Sequence, residues 1–297
     1  MVVMDRLKSQ AHIIANAEAL MSQFDALNTL RQIPMRACHL IAKEDSTGRE
    51  IAEVLRLDPL LVARLLRMAS SAYYGMRCRV ESIAKAVALI GLKNLRNLLV
   101  IDTMQDCFLR DSAGVTFCHR RLWMHSMAVG VCAQMLSRRL LGTTGEDAFL
   151  AGILHDIGML VENQVQTTAF QTVMQRYRDG DQPILEEEHA VLGTDHRFVG
   201  GLLATRWKFP DDVKTAILEH HTICTHKAEL TRLPAIIQVA HYLADISGYR
   251  EIPERVENPE GIIADHLHQH AAEYRMMARD LTEAMKKASS FYEVGTV

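Results

Sequence analysis

The chain has 297 residues, 48% of them hydrophobic and 23% charged, with 33 basic against 36 acidic side chains. This is ordinary globular composition, long enough for one large domain or two around a sizeable core. A net charge of −3 provides no global field for nucleic acid or an anionic membrane, so sequence-independent nucleic-acid binding is disfavoured.

The first eight residues, Met-Val-Val-Met-Asp-Arg-Leu-Lys, lack the basic region, apolar stretch and cleavage site of a signal peptide, and a cytoplasmic location is expected. Aromatic residues make up 6%, and apolar residues recur at steps of three and four, so the chain is predicted to be all-α. Residues 47–57 form a helix with Ser46 or Thr47 as its cap and Glu50 shortly after, stopping before Asp58-Pro59. Residues 59–70 follow with proline in the first turn, and Tyr73-Tyr74-Gly75 ends that unit. Residues 80–90 and 93–103 read as a central helix pair hinged at Gly91. The nearest approach to a membrane span, residues 86–101, is interrupted by Lys93, Asn94, Arg96 and Asn97, so no membrane insertion is expected.

Residues 117–141 make a long helix carrying His125 and closed by Gly142. Residues 146–155 form the next, with Gly158 as its breaker. A helix begins at 184–189, another covers 196–207, and Pro210-Asp211-Asp212 caps the one finishing at His220-His221. Residues 233–246 carry Asp245, 247–261 are turn material, and 262–292 supply one or two further helices. The six cysteines contain no Cys-x-x-Cys pair and read as reduced, mostly buried small hydrophobes.

The chemical signature of this chain is five histidines and two aspartates: His125, His155, Asp156, His196, His220, His221 and Asp245. His155 and Asp156 interrupt an apolar run, where an imidazole beside a carboxylate is costly unless something binds the pair. Both His155-Asp156 and His220-His221 fall near helix ends, from which they can splay into a shared cavity. Seven donors exceed the needs of one divalent cation and suit two ions about 3.5 to 4 Å apart, with Asp156 bridging. The alternative is a cluster hydrogen-bonded internally with no metal. His241, four residues before Asp245, is either a partner of that carboxylate or simply exposed, and exposure is the expectation. Arg120-Arg121 and Arg138-Arg139 flank His125, and Arg121 is a candidate phosphate contact, with a solvated helix face as the alternative.

Leu154-His155-Asp156-Ile157-Gly158, preceded by Leu122-Trp123-Met124-His125-Ser126 and followed by Gly193-Thr194-Asp195-His196-Arg197-Phe198-Val199-Gly200, resembles the HDOD family, a branch of the HD superfamily. Asp58-Pro59, Arg64-Leu65-Leu66-Arg67, Ser71-Ala72-Tyr73-Tyr74-Gly75 and Ala88-Leu89-Ile90-Gly91-Leu92 resemble that family's amino-terminal half. The resemblance implies an HD-domain-like helical bundle with an additional amino-terminal helical subdomain. The division expected is an amino-terminal helix over 1–26, the amino-terminal half over 27–116, the metal-holding half over 117–247 and an extension over 248–297.

The same resemblance implies a bacterial signal-transduction protein that binds metal and is weak or inactive in catalysis. By position, His125, His155, Asp156 and Asp245 match the superfamily's four basic ligands, while His196, His220 and His221 resemble the extra ligands of the HD-GYP phosphodiesterases. Where those enzymes carry lysine after the His-Asp-x-Gly element this chain has Met159, and no Gly-Tyr-Pro loop follows His221. One or two divalent ions (Fe, Mn, Zn, Ni or Mg) are expected, with a signalling protein or a phosphate-bearing small molecule as partner; the oligomeric state is left open. The competing reading is a metal-dependent phosphohydrolase acting on a nucleotide or other phosphoester.

Overall fold

Capping chemistry sets the first boundaries of the fold. In a computed structural model describing residues 2–27, 32–43, 45–70, 79–108, 117–256 and 258–292, every regular element among the described residues is a helix, as predicted. Thr47 caps α3 (Gly48–Leu55), its hydroxyl accepting from Glu50 N while Glu50 accepts from the Thr47 backbone, the reciprocal box foreseen in the sequence. Asp58 caps α4 (Pro59–Ala69) by accepting from Leu61 N, and Pro59 occupies the first turn, where its missing N–H costs nothing. Gly91, at φ 80° and ψ 168°, breaks α5 (Ile83–Phe108) at the expected hinge. The motif at residues 71–75 lies outside the described residues.

Together with α2 (Gln32–Ile41), α3 and α4 pack on α5. This group docks on the rest of the molecule through α7 (Glu146–Leu154), where Asp147 receives Lys93 Nζ at 2.6 Å and Arg96 Nη2 at 2.7 Å. The Arg64 side chain makes a two-pronged ion pair with buried Asp102. By contrast α1 (Val2–Leu27) lies against α8 (Ile157–Val165) and α11 (His196–Arg206), where Asn16 donates to the Gly193 carbonyl.

The second group is built around α6 (His119–Leu141), α7 and α13 (Leu233–Ile246), whose buried side chains leave little polar face. Such all-round burial marks central helices, and each fully buried Leu or Ile contributes about 1.5–3 kcal/mol. Gly130 on α6 faces Gly152 on α7 so closely that a Cβ on Gly152 would stand 2.6 Å from the Gly130 Cα; this contact sets the spacing between His125 and His155. Around the core run α9 (Thr167–Asp179), α10 (Ile184–Leu192) and α12 (Asp211–Glu219), followed by α14 (Gly261–Gln269) and α15 (Ala271–Tyr292), the latter against α6 and α13.

Two sequence expectations are corrected and one helix is added. Gly158 does not end a helix: it lies in the first turn of α8, where its missing Cβ lets the His196 backbone approach. Pro210-Asp211-Asp212 opens α12 without a side-chain capping bond, the two aspartates contributing negative charge to the first turn instead. Helix α9 was not anticipated; its polar Thr167-Thr168 start and Gln and Arg content mask the buried stripe of Phe170, Val173, Met174 and Tyr177. Among the described residues, no helix is long and apolar enough to cross a membrane.

Candidate metal centre

Each donor is held at a helix end or on a central helix. Asp156, at φ −104° and ψ 16°, interrupts the path from α7 to α8, in the sparse backbone region common at functional sites. His155 terminates α7 and His220 terminates α12, so both expected pairs do leave helix ends. His196 opens α11 just after Asp195, whose carboxylate caps that helix by accepting from Arg197 N and Phe198 N. His125, His241 and Asp245 project from the buried faces of α6 and α13.

The structure gathers six of the seven predicted donors around Asp156, together with His241, while the seventh, Asp245, falls outside both ligand groups. Asp156 Oδ2 lies 2.8 Å from His155 Nε2 and 3.8 Å from His125 Nε2; Oδ1 lies 3.3 Å from His220 Nε2 and 3.6 Å from His196 Nε2. Two overlapping groups result, His125, His155, Asp156 and His241 on one side and Asp156, His196, His220 and His221 on the other. Within each, one donor atom per residue lies within 4.8 Å of every other. Asp245 stands beside the first group, 3.5 Å from His125 Nδ1 and 3.6 Å from His241 Nε2.

The far side of each ring fixes what the near side offers. His125 Nδ1 donates to the Tyr249 carbonyl at 2.7 Å, His155 Nδ1 to Gly152 at 2.8 Å, and His220 Nδ1 to Ile217 at 2.8 Å. A carbonyl can only accept, so these rings carry their proton on Nδ1 and turn the Nε2 lone pair toward Asp156. His196 Nδ1 is held at 2.8 and 2.9 Å by the two oxygens of fully buried Glu188. His125 Nε2, His155 Nε2 and both Asp156 oxygens are buried with no hydrogen-bond partner; the 2.8 Å approach of His155 to Asp156 lacks hydrogen-bond geometry. Convergent lone pairs around an unpartnered carboxylate are a cost that a cation removes. The residues fit a divalent metal, and Asp156 belongs to both donor groups.

Electrostatics agree. Burial opposes ionisation of Asp156, but His155, His220 and His196 hold its carboxyl well below the usual range. Burial, with the neighbouring His241, pushes His125 down to about 4, and burial with His221 keeps His220 well below its ordinary value. These groups are therefore deprotonated at neutral pH, as ligands must be. Burial disfavours charge on His196 and His241 too, yet Glu188 lifts the first to about 9 and Asp245 the second to about 10.

His241 is buried, which overturns the expectation of an exposed side chain. Its i,i+4 relation to Asp245 on an otherwise apolar helix was the signal that pointed to it. Two glutamates were missed: Glu188, behind His196, and Glu251, whose Oε2 lies 3.2 Å from His125 Nε2. Glu188 sits in the run Glu186-Glu187-Glu188, which as sequence reads as a solvated helix face. His189 Nε2 lies 2.7 Å from Asp195 Oδ2.

A cleft of about 540 Å³ opens onto the site, with His220, His221 and His241 in its wall. Arg121 does not line it; with Arg120, Tyr249 and Arg250 it borders a separate surface cavity. Arg138 and Arg139 are committed to the Thr144 carbonyl and to Asp280. The cationic side chain in the cleft wall, Arg255, stacks on Tyr177 and donates to the Gly180 and Gln182 carbonyls.

The fold has counterparts among solved structures. Crystal structures of an HDOD domain protein from Geobacter sulfurreducens (TM-score 0.67, 23% identity, 91% of this chain and 98% of that one) and of a candidate signal-transduction protein from Marinobacter aquaeolei VT8 (0.64, 20%, 93% and 66%) share the fold. A candidate phosphohydrolase from Shewanella amazonensis SB2B matches with TM-score 0.63 and 26% identity over 89% of this chain and 98% of that one. In sequence, the chain is 25% identical over 250 residues to an uncharacterized protein of Treponema pallidum (strain Nichols), covering 77% of this chain but 45% of that protein, so it spans less than half of that relative's length. Residues 27–223, from the amino-terminal helices through His220 and His221, match the HDOD domain, and the chain belongs to that family.

Proposed function

We propose that this is a signal-transduction HDOD protein whose two-cation centre, bridged by Asp156, anchors a phosphate-bearing ligand in the cleft rather than hydrolysing it. The observation that carries the metal is the convergence of Nε2 atoms on an unpartnered, buried carboxylate. Six imidazoles to one bridging carboxylate favour a transition ion such as iron, zinc, manganese or nickel over magnesium, which prefers oxygen donors. Bound cations supply positive charge for an oxyanion, and His221 at the cleft wall places one of them within reach of it.

Weak or absent turnover follows from what surrounds that charge. Met159 stands where the related phosphodiesterases have lysine, and it is buried, so it offers no contact to a phosphate. Arg255 directs one N–H from each terminal nitrogen to a carbonyl and lays its face on Tyr177, which orients it along the cleft wall. Ligand binding would thus change helix packing at α12 and α13, both of which line the cleft, and present that change to a signalling partner. A metal-dependent phosphohydrolase is the second reading, favoured by the cleft's direct access to His220, His221 and His241.

Elemental analysis of protein purified without chelator, followed by a phosphodiesterase and nucleotidase screen in manganese or iron, tests both. Bound metal without turnover supports the regulatory reading. Turnover that D156A abolishes would transfer the assignment to the hydrolase, and an absence of metal would end both.

A further inference from the structure

The carboxylate of Glu251 has no role in any of the interactions so far described. It sits on the turn after α13, and its Oε2 is buried without a hydrogen-bond partner. That oxygen lies 3.2 Å from His125 Nε2, on the lone-pair side of the ring, because Nδ1 donates to Tyr249. Asp156 Oδ2 lies 3.8 Å from the same His125 Nε2, so two carboxylates face one imidazole lone pair. Burial and the neighbouring Asp156 push the Glu251 carboxyl well above its ordinary value, so either a proton or a cation must relieve the contact.

The turn is built to hold Glu251 there. Gly248 N and Tyr249 N donate back to Asp245 and Ala244 of α13. Arg250 donates to the Asp245 and Pro253 carbonyls, locking the turn from its outer side. Ile252, next to Glu251, is buried. His125 itself ties down the Tyr249 carbonyl, so one ring fixes both the turn and the lone pair that the turn's carboxylate faces.

We propose that Glu251 is a protein ligand of the cation held by His125, His155, Asp156 and His241, occupying the coordination position that a hydrolytic water or a substrate oxygen would need. This rests on the two-cation reading of the site and explains an asymmetry in it. The His125 half reaches the cleft through His241 and has Glu251 at its His125 side, while the half formed by Asp156, His196, His220 and His221 borders the cleft through His220 and His221. With Glu251 in that position, an exogenous oxyanion in the cleft would meet one cation and not both, which suits binding better than in-line displacement across a metal pair.

Cobalt(II)-loaded full-length protein provides the test, with metal counted per chain and the visible cobalt spectrum followed during titration with inorganic phosphate. Wild type is expected to hold two cobalt ions and to respond to phosphate in one step. E251A should bind one of the two ions at least roughly tenfold more weakly and, at saturating cobalt, show a second phosphate-dependent spectral step. E251Q, which keeps the side chain's volume, guards against a folding defect and should weaken the same ion, while E254Q on the exposed part of the turn should match wild type. Unchanged cobalt affinity and a one-step phosphate response in both Glu251 variants would overturn the assignment while leaving the metal centre intact. Failure of wild type to take up cobalt at all would overturn the metal centre, and Glu251 with it.

Discussion

His196 Nε2 and His220 Nε2 face one another across 3.3 Å, each ring having already committed its Nδ1 to an acceptor on the opposite side. Two lone pairs cannot share that gap without a positive charge between them. A proton can supply it, and Glu188 draws one onto His196 by lifting it to about 9 against the opposing effect of burial. His241 is drawn up to about 10 by Asp245 in the same way. Metal and proton are thus alternative occupants, and metal uptake must displace protons. At pH 7 both histidines lie below their raised values, so each ligated ring releases a proton. Affinity should rise with pH toward 9 and fall as pH drops. Calorimetric titration in buffers of different ionisation enthalpy counts the protons; uptake with none released at pH 7 would remove His196 and His241 from the ligand set.

Replacing Asp156 removes the one group common to both donor sets. D156A is expected to lose both cations, not one. A ligand that binds only the folded chain stabilises it by RT ln(1 + [L]/Kd), about 2.7 kcal/mol for one site at a hundredfold excess over Kd. Wild type should therefore melt at a higher temperature with metal than with chelator, whereas D156A should melt at one temperature in either. A metal-dependent rise that survives in D156A would place the bridge elsewhere.

Glu188 would act on a metal through His196, by accepting from its Nδ1–H and from its backbone N at 3.3 Å. E188Q preserves the volume of a fully buried side chain but can present an NH2 to Nδ1, which reverses the ring and puts a proton on Nε2. Loss of such an orienting partner typically costs 10–100-fold in metal affinity. The loss should fall on one of the two ions, the one His196 serves, and metal titration monitored per site would show it. Equal weakening of both ions would mean that Glu188 supports the fold rather than the ring.

These partners mark where sequence reading stops. Thr47 with Glu50, Asp58 with Pro59, and Gly91 announced their boundaries because capping and backbone freedom are local physics, acting within three or four residues. The seven donors stood out because histidine and aspartate are expensive in apolar runs. Glu188 and Glu251 did not stand out, since each sits in a polar segment where a glutamate costs nothing as sequence. Only the fold turns them inward, Glu188 through the α10 to α11 turn and Glu251 through a turn pinned by His125. His241 was visible at i,i+4 from Asp245 yet read as exposed, because one histidine does not reveal how deeply its helix is buried.

Gly158 carries the last prediction, because it sets how near α8 comes to α11 and hence where His196 points. A Cβ at Gly158 would stand 2.0 Å from the His196 carbonyl oxygen, and from the other side a Cβ on Gly200 would stand 3.5 Å from Gly158 N. The atom met is backbone, so no rotamer change relieves the clash and the helices must part. G158A should be destabilised toward the upper end of the roughly 1–3 kcal/mol typical of overpacking, measured by urea denaturation in chelator. Restored metal should recover less stability than in wild type, since His196 moves with the start of α11. The contrast is Gly48, in the first turn of α3, where a Cβ would make an ordinary 3.5 Å contact with Val87. G48A should leave metal binding untouched and gain about 0.4–1 kcal/mol by restricting the unfolded chain. If the two alanine variants shift stability alike, close approach at Gly158 is not what positions His196.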